Sequence, residues 1–308
     1  MTEVILHHYP QSPVAEKVRV ALGIKNLDWR SVTIPRLPPK PELIPLTGGY
    51  RLTPVMQIGA DIYCDSTCII RELERRFPEP SLFPGGADGM VWGVGRWTDG
   101  ALFRDVIALV FIDAGEAMPA EFWADRGMLY FGADFDKDAI RARRPELLAN
   151  LRAQFGWMEA RAATGRTFFL GDRPGLPDAL CYYLLWFIRG RYSKGPEFLA
   201  QFPNLCAWER RVAALGHGNP SSLSAAEALE IAKDAQPATP ETVDPGDPLG
   251  LAPGEAIDVR PEAMDGVPAV AGTLRFLDAQ TVVLDRNDEK VGQVSVHFPR
   301  VGYEIRRV

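Results

Sequence analysis

A short apolar run, Val4-Ile5-Leu6, is followed six residues later by Ser12-Pro13, and then by Val14, Val18, Ala21 and Leu22 at helical spacing. A strand that yields so quickly to a helix fixes the helix mouth beside the strand end, so the N-terminal region is restricted to an α/β arrangement. Proline suits the first helical position because its missing N–H would be unpaired there in any case. A hydroxyl just before it sits among unpaired backbone donors at the positive end of the helix dipole. Such a hydroxyl caps the helix, and the same place favours an anion, a thiolate included.

Leu52-Thr53-Pro54-Val55-Met56-Gln57-Ile58 reads as a strand opened by proline, which is tolerated there because it donates no ladder bond. A cis Thr53-Pro54 bond would expose the backbone of Thr53 as a docking edge for another peptide. Gly59-Ala60-Asp61 reads as a turn, and a helix follows with Asp65 and Ser66 as its cap and Ile69, Ile70, Leu73 and Phe77 as its buried stripe. Two helix mouths thus flank one proline-marked strand.

In this order, strand, Ser-Pro helix, strand, helix, Thr-Pro strand, hairpin and Asp-Ser helix closing at Phe77-Pro78, residues 1 to about 215 resemble the glutathione S-transferase superfamily. The resemblance implies a multidomain α/β plus all-α chain: a thioredoxin-like glutathione-binding domain over 1–83 and a helical-bundle domain over 85–233. In serine-type members a hydroxyl at the position of Ser12 stabilises the glutathione thiolate. The resemblance further implies that Thr53, before the cis Pro54, pairs with the cysteinyl part of glutathione, and that Asp65 and Ser66 hold its γ-glutamyl end. Lys40 and Arg51 are the matching cations for the glycyl carboxylate. The chemistry agrees, because a ligand with two carboxylates, an ammonium and a thiol requires cations, a carboxylate, helix N-termini and a thiolate-stabilising donor. Residues 1–83 carry ten Lys and Arg against nine Asp and Glu, whereas the whole chain has a net charge of −6. The N-terminal domain is therefore the expected anion binder.

Tyr9, three residues before Ser12, lies where tyrosine-type members keep their activating hydroxyl and is a rival for the role; Ser12 is favoured because it sits at the helix mouth. Thr53 and Asp65 stand where many members have Val or Ile and Glu or Gln. No cysteine occupies the Ser12 position, which argues against thiol-exchange chemistry, and Cys64 reads as a buried structural residue.

Cys64, Cys68, Cys181 and Cys206 lack the paired spacing of zinc sites, and the four histidines do not combine with them, so reduced thiols and no metal are expected. The longest apolar run, Ala179–Ile188, falls far short of the roughly 20 residues that cross a bilayer, and no basic-then-apolar leader is visible. A cytoplasmic protein with no membrane or nucleic-acid partner is expected, and the resemblance implies a homodimer.

Helical patterns run over 90–116, 136–163, 178–190 and 204–215. Asp178 matches the acidic residue of a capping box whose usual Ser or Thr is Gly175, and reads as structural. Phe122, Trp123, Tyr130 and Phe131, between the first two long helices, are candidates for an apolar substrate wall, with local core or dimer contact the favoured reading of each.

Residues 234–253 read as a Pro- and Gly-rich linker without regular structure. Beyond it, 256–260, 269–276, 281–286, 291–298 and 303–308 read as short strands of a small β module over 254–308, a size that needs support from a neighbouring surface. With seven basic against nine acidic residues, the module lacks the basic stripe of a nucleic-acid binder. The expected activity is glutathione thiol attack on an electrophilic small molecule, glutathione being the co-substrate. Glutathione-dependent isomerisation or dehalogenation would use the same site. The alternative is a non-catalytic scaffold that recruits partners through the β module.

Overall fold

The computed structural model describes residues 3–86, 88–114 and 118–308. The chain divides into two compact units, one made of residues up to Ala15, Asp28–Arg75 and Asn219–Val308, the other of Glu16–Leu27 and Arg76–Gly218. The first unit is a sheet with flanking helices, the second is helical.

The first unit begins with β1 (Ile5–His8), the mouth of α1 (Pro13–Ile24), β2 (Asp28–Thr33), α2 (Ile44–Thr47), β3 (Val55–Ile58), β4 (Asp61–Cys64) and α3 (Ser66–Arg76). β1 lies parallel to β2 and antiparallel to β3, which is antiparallel to β4. This is the thioredoxin-like arrangement expected from the sequence.

The helical unit takes the body of α1 and adds α4 (Asp88–Trp97), a π-helical turn (Thr98–Leu102), α5 (Phe103–Ala114), α6 (Ala120–Phe131), α7 (Lys137–Ala142), α8 (Arg144–Ala162), α9 (Leu176–Arg191), α10 (Gly195–Leu199) and α11 (Pro203–Ala213). The expected helix over 90–116 is broken at Gly100, whose φ of −97° and ψ of −109° leave the helical region. Its last positions, 115 and 116, lie outside the described residues. The helix expected over 136–163 is two, separated before Pro145, which has no N–H to continue the first. The aromatic segment forms α6, where Phe122, Trp123, Tyr130 and Phe131 surround Phe111 of α5 with centroids 5.3–6.2 Å away. Asp178 is fully buried and accepts from Phe169 N, Gly175 N and Trp208 Nε1 at 3.0, 2.8 and 2.7 Å. The half of the box missing at Gly175 is supplied by backbone, since Asp178 N donates to the Gly175 carbonyl at 3.0 Å.

The chain then returns to the first unit with β5 (Asn219–Ser222), α12 (Ala225–Lys233), β6 (Thr242–Val243), β7 (Ala256–Pro261), β8 (Val270–Leu277), β9 (Thr281–Asp288), β10 (Gly292–Pro299) and β11 (Tyr303–Arg307). Three expectations are corrected here. Residues 219–233 belong with the sheet, not the helical half: β5 pairs parallel with β2, and Ala228 and Ala232 of α12 enter the sheet core. The segment 234–253 is not structureless, because β6 pairs with β8. The five C-terminal strands form the expected β module, within two residues of their expected limits, but its sheet does not stand apart. β10 pairs parallel with β4, giving one sheet of order β11-β7-β8-β9-β10-β4-β3-β1-β2-β5.

The neighbouring surface that a five-strand module needs is thus the free edge of β4. Ile5, Val55 and Ile62 share one buried cluster with Val259, Leu284 and Val296. Gly48, with φ +71°, lies so close to the Arg286 guanidinium that a Cβ there would fall 2.3 Å from its carbon. The five strands also curl. β10 and β11 sit at opposite ends of their order, yet only Arg300–Gly302 join them, a link of at most about 14 Å, whereas four flat strand spacings would need about 19 Å.

Candidate functional site

The register of the sheet decides which sequence signals meet. His7 pairs with Val55 and Val55 with Cys64, so the end of β1, the start of β3 and the end of β4 lie at one end of the sheet. Tyr9, Thr53-Pro54 and Asp65-Ser66, each just beyond those pairs, are carried there together.

Ser12 caps α1. Its Oγ accepts from Ala15 N at 3.2 Å and its own N–H donates to the Tyr9 carbonyl at 3.1 Å, leaving it 2% exposed. A hydroxyl that accepts through oxygen still carries a rotatable proton, which is the donor a thiolate requires. Tyr9 is half-buried against the sheet core.

Lys40 is buried, with its Nζ 5.9 Å from the Tyr9 ring centroid, and donates to the Arg51 carbonyl at 2.8 Å and Thr53 Oγ1 at 3.1 Å. Its charge therefore stands under the loop that leads into Thr53-Pro54, which is cis. Arg51 sends Nε to the Gly266 carbonyl, between β7 and β8, at 2.8 Å.

Asp65 adopts a left-handed φ of +75° at the mouth of α3. Its Oδ1 accepts from Thr67 N at 2.7 Å and caps the helix, while Ser66 is buried beside it in the first turn. Its Oδ2 lies 3.2 Å from the hydroxyl of Tyr303, which is also 3.3 Å from Tyr50 Oη; Tyr303 has a single proton and a carboxylate can only accept, so that proton goes to Asp65. Burial, reinforced by the Asp65 charge, pushes the Tyr50 phenol far up; the Tyr303 phenol is raised by burial, then by Tyr50 and Asp65. Both phenols therefore stay protonated. Tyr50 and Tyr303 escape a sequence reading, since nothing local marks a residue 238 positions away as a partner of Asp65.

Several further titratable groups are bonded within the fold. His7 Nε2 meets Gln57 Oε1 at 2.9 Å, and because Gln57 Nε2 donates to the Gly59 and Ala228 carbonyls, its oxygen must accept and His7 must donate. Burial lowers His7 to about 4 despite that bond. His8 faces Ser31 and the Trp29 ring. In the helical unit the buried Lys17 donates to Asp99 Oδ2 at 2.7 Å, and Tyr183 donates to Asp99 Oδ1 at 2.9 Å, so the π-turn is anchored by a network that sequence spacing did not mark. The cysteines are unbridged, and burial raises the thiols of Cys64, Cys68 and Cys181 well above their ordinary value. Among the described residues no group of three or more His, Cys, Asp or Glu is arranged to hold a metal, and no helix is long and apolar enough to cross a membrane.

Comparison with known proteins agrees with this fold. The family pattern for the glutathione S-transferase N-terminal domain matches residues 6–81, and that for the C-terminal domain matches residues 123–211. The solved structure of a GST-like protein from Pseudomonas syringae superposes with a TM-score of 0.78 at 36% identity, covering 100% of both chains. A glutathione S-transferase from Rhodospirillum rubrum F11 shares the fold, with a TM-score of 0.52 at 24% identity over 68% of this chain and 88% of its own. A maleylpyruvate isomerase from Ralstonia sp. is 27% identical over 86 residues, 27% of this chain, and the match spans 41% of that relative's length.

Proposed function

The chain belongs to the glutathione S-transferase superfamily, and on that footing we propose that it activates the thiol of glutathione for attack on an electrophilic small molecule. The observation that supports this reading is the meeting, at one end of a sheet, of a serine-capped helix mouth, a cis Thr53-Pro54 edge and the Asp65-Ser66 mouth of α3.

Each part has a role in the reading. The Ser12 proton is directed at the sulfur, stabilising thiolate over thiol, and the thiol proton passes to solvent. The Thr53 backbone pairs with the cysteinyl unit. Asp65 takes the α-ammonium of the γ-glutamyl end, and Ser66 with the first turn of α3 takes its carboxylate. Lys40, with Arg51, supplies positive charge for the glycyl carboxylate. A sulfur lone pair then forms the bond to the electrophilic carbon. In transfer a leaving group departs with its electron pair, whereas in isomerisation the thiolate itself leaves again, the kind of reaction named for the Ralstonia relative. One charge-assisted hydrogen bond to the thiolate is worth about 1.5–3 kcal/mol, or one to two pKa units, which is enough to populate thiolate at neutral pH.

Calorimetric titration of glutathione, with Ser66→Ala alongside, tests the reading. Saturable binding weakened by the substitution is expected. No heat at millimolar glutathione in the parent protein overturns it.

A further inference from the structure

We propose that Tyr303, on the last strand of the chain, is a positioning residue for recognition of the α-amino group of the thiol ligand, acting through Asp65. This rests on the proposed glutathione site.

Three contacts run from the C-terminal strands into the segments that would hold the ligand: Tyr303 to Asp65, the Gly266 carbonyl to Arg51, and Arg286 against Gly48. The second reaches Arg51 through the backbone of a loop, which no side-chain substitution removes, whereas the first joins two side chains. Asp65 is half-buried, and contacts at its two carboxylate oxygens help to set its orientation. The Thr67 N–H holds Oδ1, and the Tyr303 hydroxyl holds Oδ2.

Tyr303 is itself well fixed. It is 8% exposed, its ring lies 5.4 Å from Phe298, and Phe298 packs edge-on to Tyr50 at 5.7 Å. The curl of the C-terminal strands is what brings the start of β11 back over β4. An ammonium gains most from a carboxylate whose orientation is settled before it arrives, because no ordering cost is then deducted from the contact. Tyr303 supplies that settling without touching the ligand.

The test separates amino-group recognition from general binding. Glutathione and its des-amino analogue, glutaryl-cysteinyl-glycine, are titrated into the parent protein, Tyr303→Phe and Tyr303→Met, with thermal unfolding of each as a fold check. The parent is expected to prefer glutathione. Tyr303→Phe is expected to weaken glutathione about threefold to tenfold, the effect of one hydrogen bond, and to change the analogue by less than about twofold. Tyr303→Met, which removes the same donor with a more adaptable filler, gives the same reading where the Phe variant does not fold. Equal weakening of both ligands, or no change in either, overturns the positioning role while leaving the glutathione site standing. A parent that binds neither ligand overturns the site itself.

Discussion

His297 and Asp61, 236 positions apart, meet at 2.8 Å across the junction of β10 with β4. Asp61 also accepts from Ala238 N and Thr239 Oγ1, and the His297 ring stacks on Tyr63 at 4.2 Å. His297→Ala should therefore cost about 2–4 kcal/mol, a buried hydrogen bond plus an aromatic contact, measured by urea unfolding. Burial pushes the Asp61 carboxyl up, but the His297 bond and charge, with Ala238 and Thr239, outweigh it and hold the group below its ordinary value. Its contribution is present above the unfolded carboxylate pKa and is lost as pH falls through the folded one. Acid unfolding of Asp61→Asn should be correspondingly shallower in that window.

Ser12→Ala should raise the pKa of bound glutathione by about one to two units, read from thiolate absorbance, and lower turnover about tenfold to a hundredfold. It should also cost about 1 kcal/mol of stability, because the Ala15 N–H loses its cap. Tyr9→Phe should leave the thiolate titration in place. The reverse result would transfer the role to Tyr9.

His7 is neutral in the fold, at about 4 against 6.5 when unfolded. Between those values the unfolded chain binds the extra proton, so stability is full above about pH 6.5 and falls as pH drops toward 4, by about 3 kcal/mol in all. His7→Gln should remove that slope. The difference between the two proteins, followed by chemical unfolding at pH 4.5 and 7.5, isolates it from the carboxylates.

Asp178→Ala leaves three buried donors, Phe169 N, Gly175 N and Trp208 Nε1, without their acceptor. A loss of about 3–5 kcal/mol is expected, seen as a lower urea midpoint. Trp208 stacks on Phe169 at 4.3 Å, so its fluorescence should report the same transition.

What the sequence discloses here is what local chemistry writes into it. Proline at a helix start, a hydroxyl or carboxylate at a cap, and Gly or Asn between short apolar runs each act within a few residues. Ser12, Thr53-Pro54, Asp65 and the five terminal strands were accordingly legible. The partner of β4 was not, because edge pairing runs through backbone groups that every residue carries. Nor was the Tyr303–Asp65 contact, which the curl of the strands creates. The break at Gly100 within the pattern over 90–116, and the Lys17–Asp99 pair beside it, were not legible either, because a π-turn has no periodic signature.

The parallel junction of β4 with β10 also sets an order of events during synthesis. When β4 leaves the ribosome, the strand that will cover it lies more than 200 codons downstream, so its edge stays open while the helical unit is made. An open strand edge invites pairing with other chains. Chains in which β10 has not yet been made thus carry an open edge on β4, and the arrival of β10 is the step that covers it.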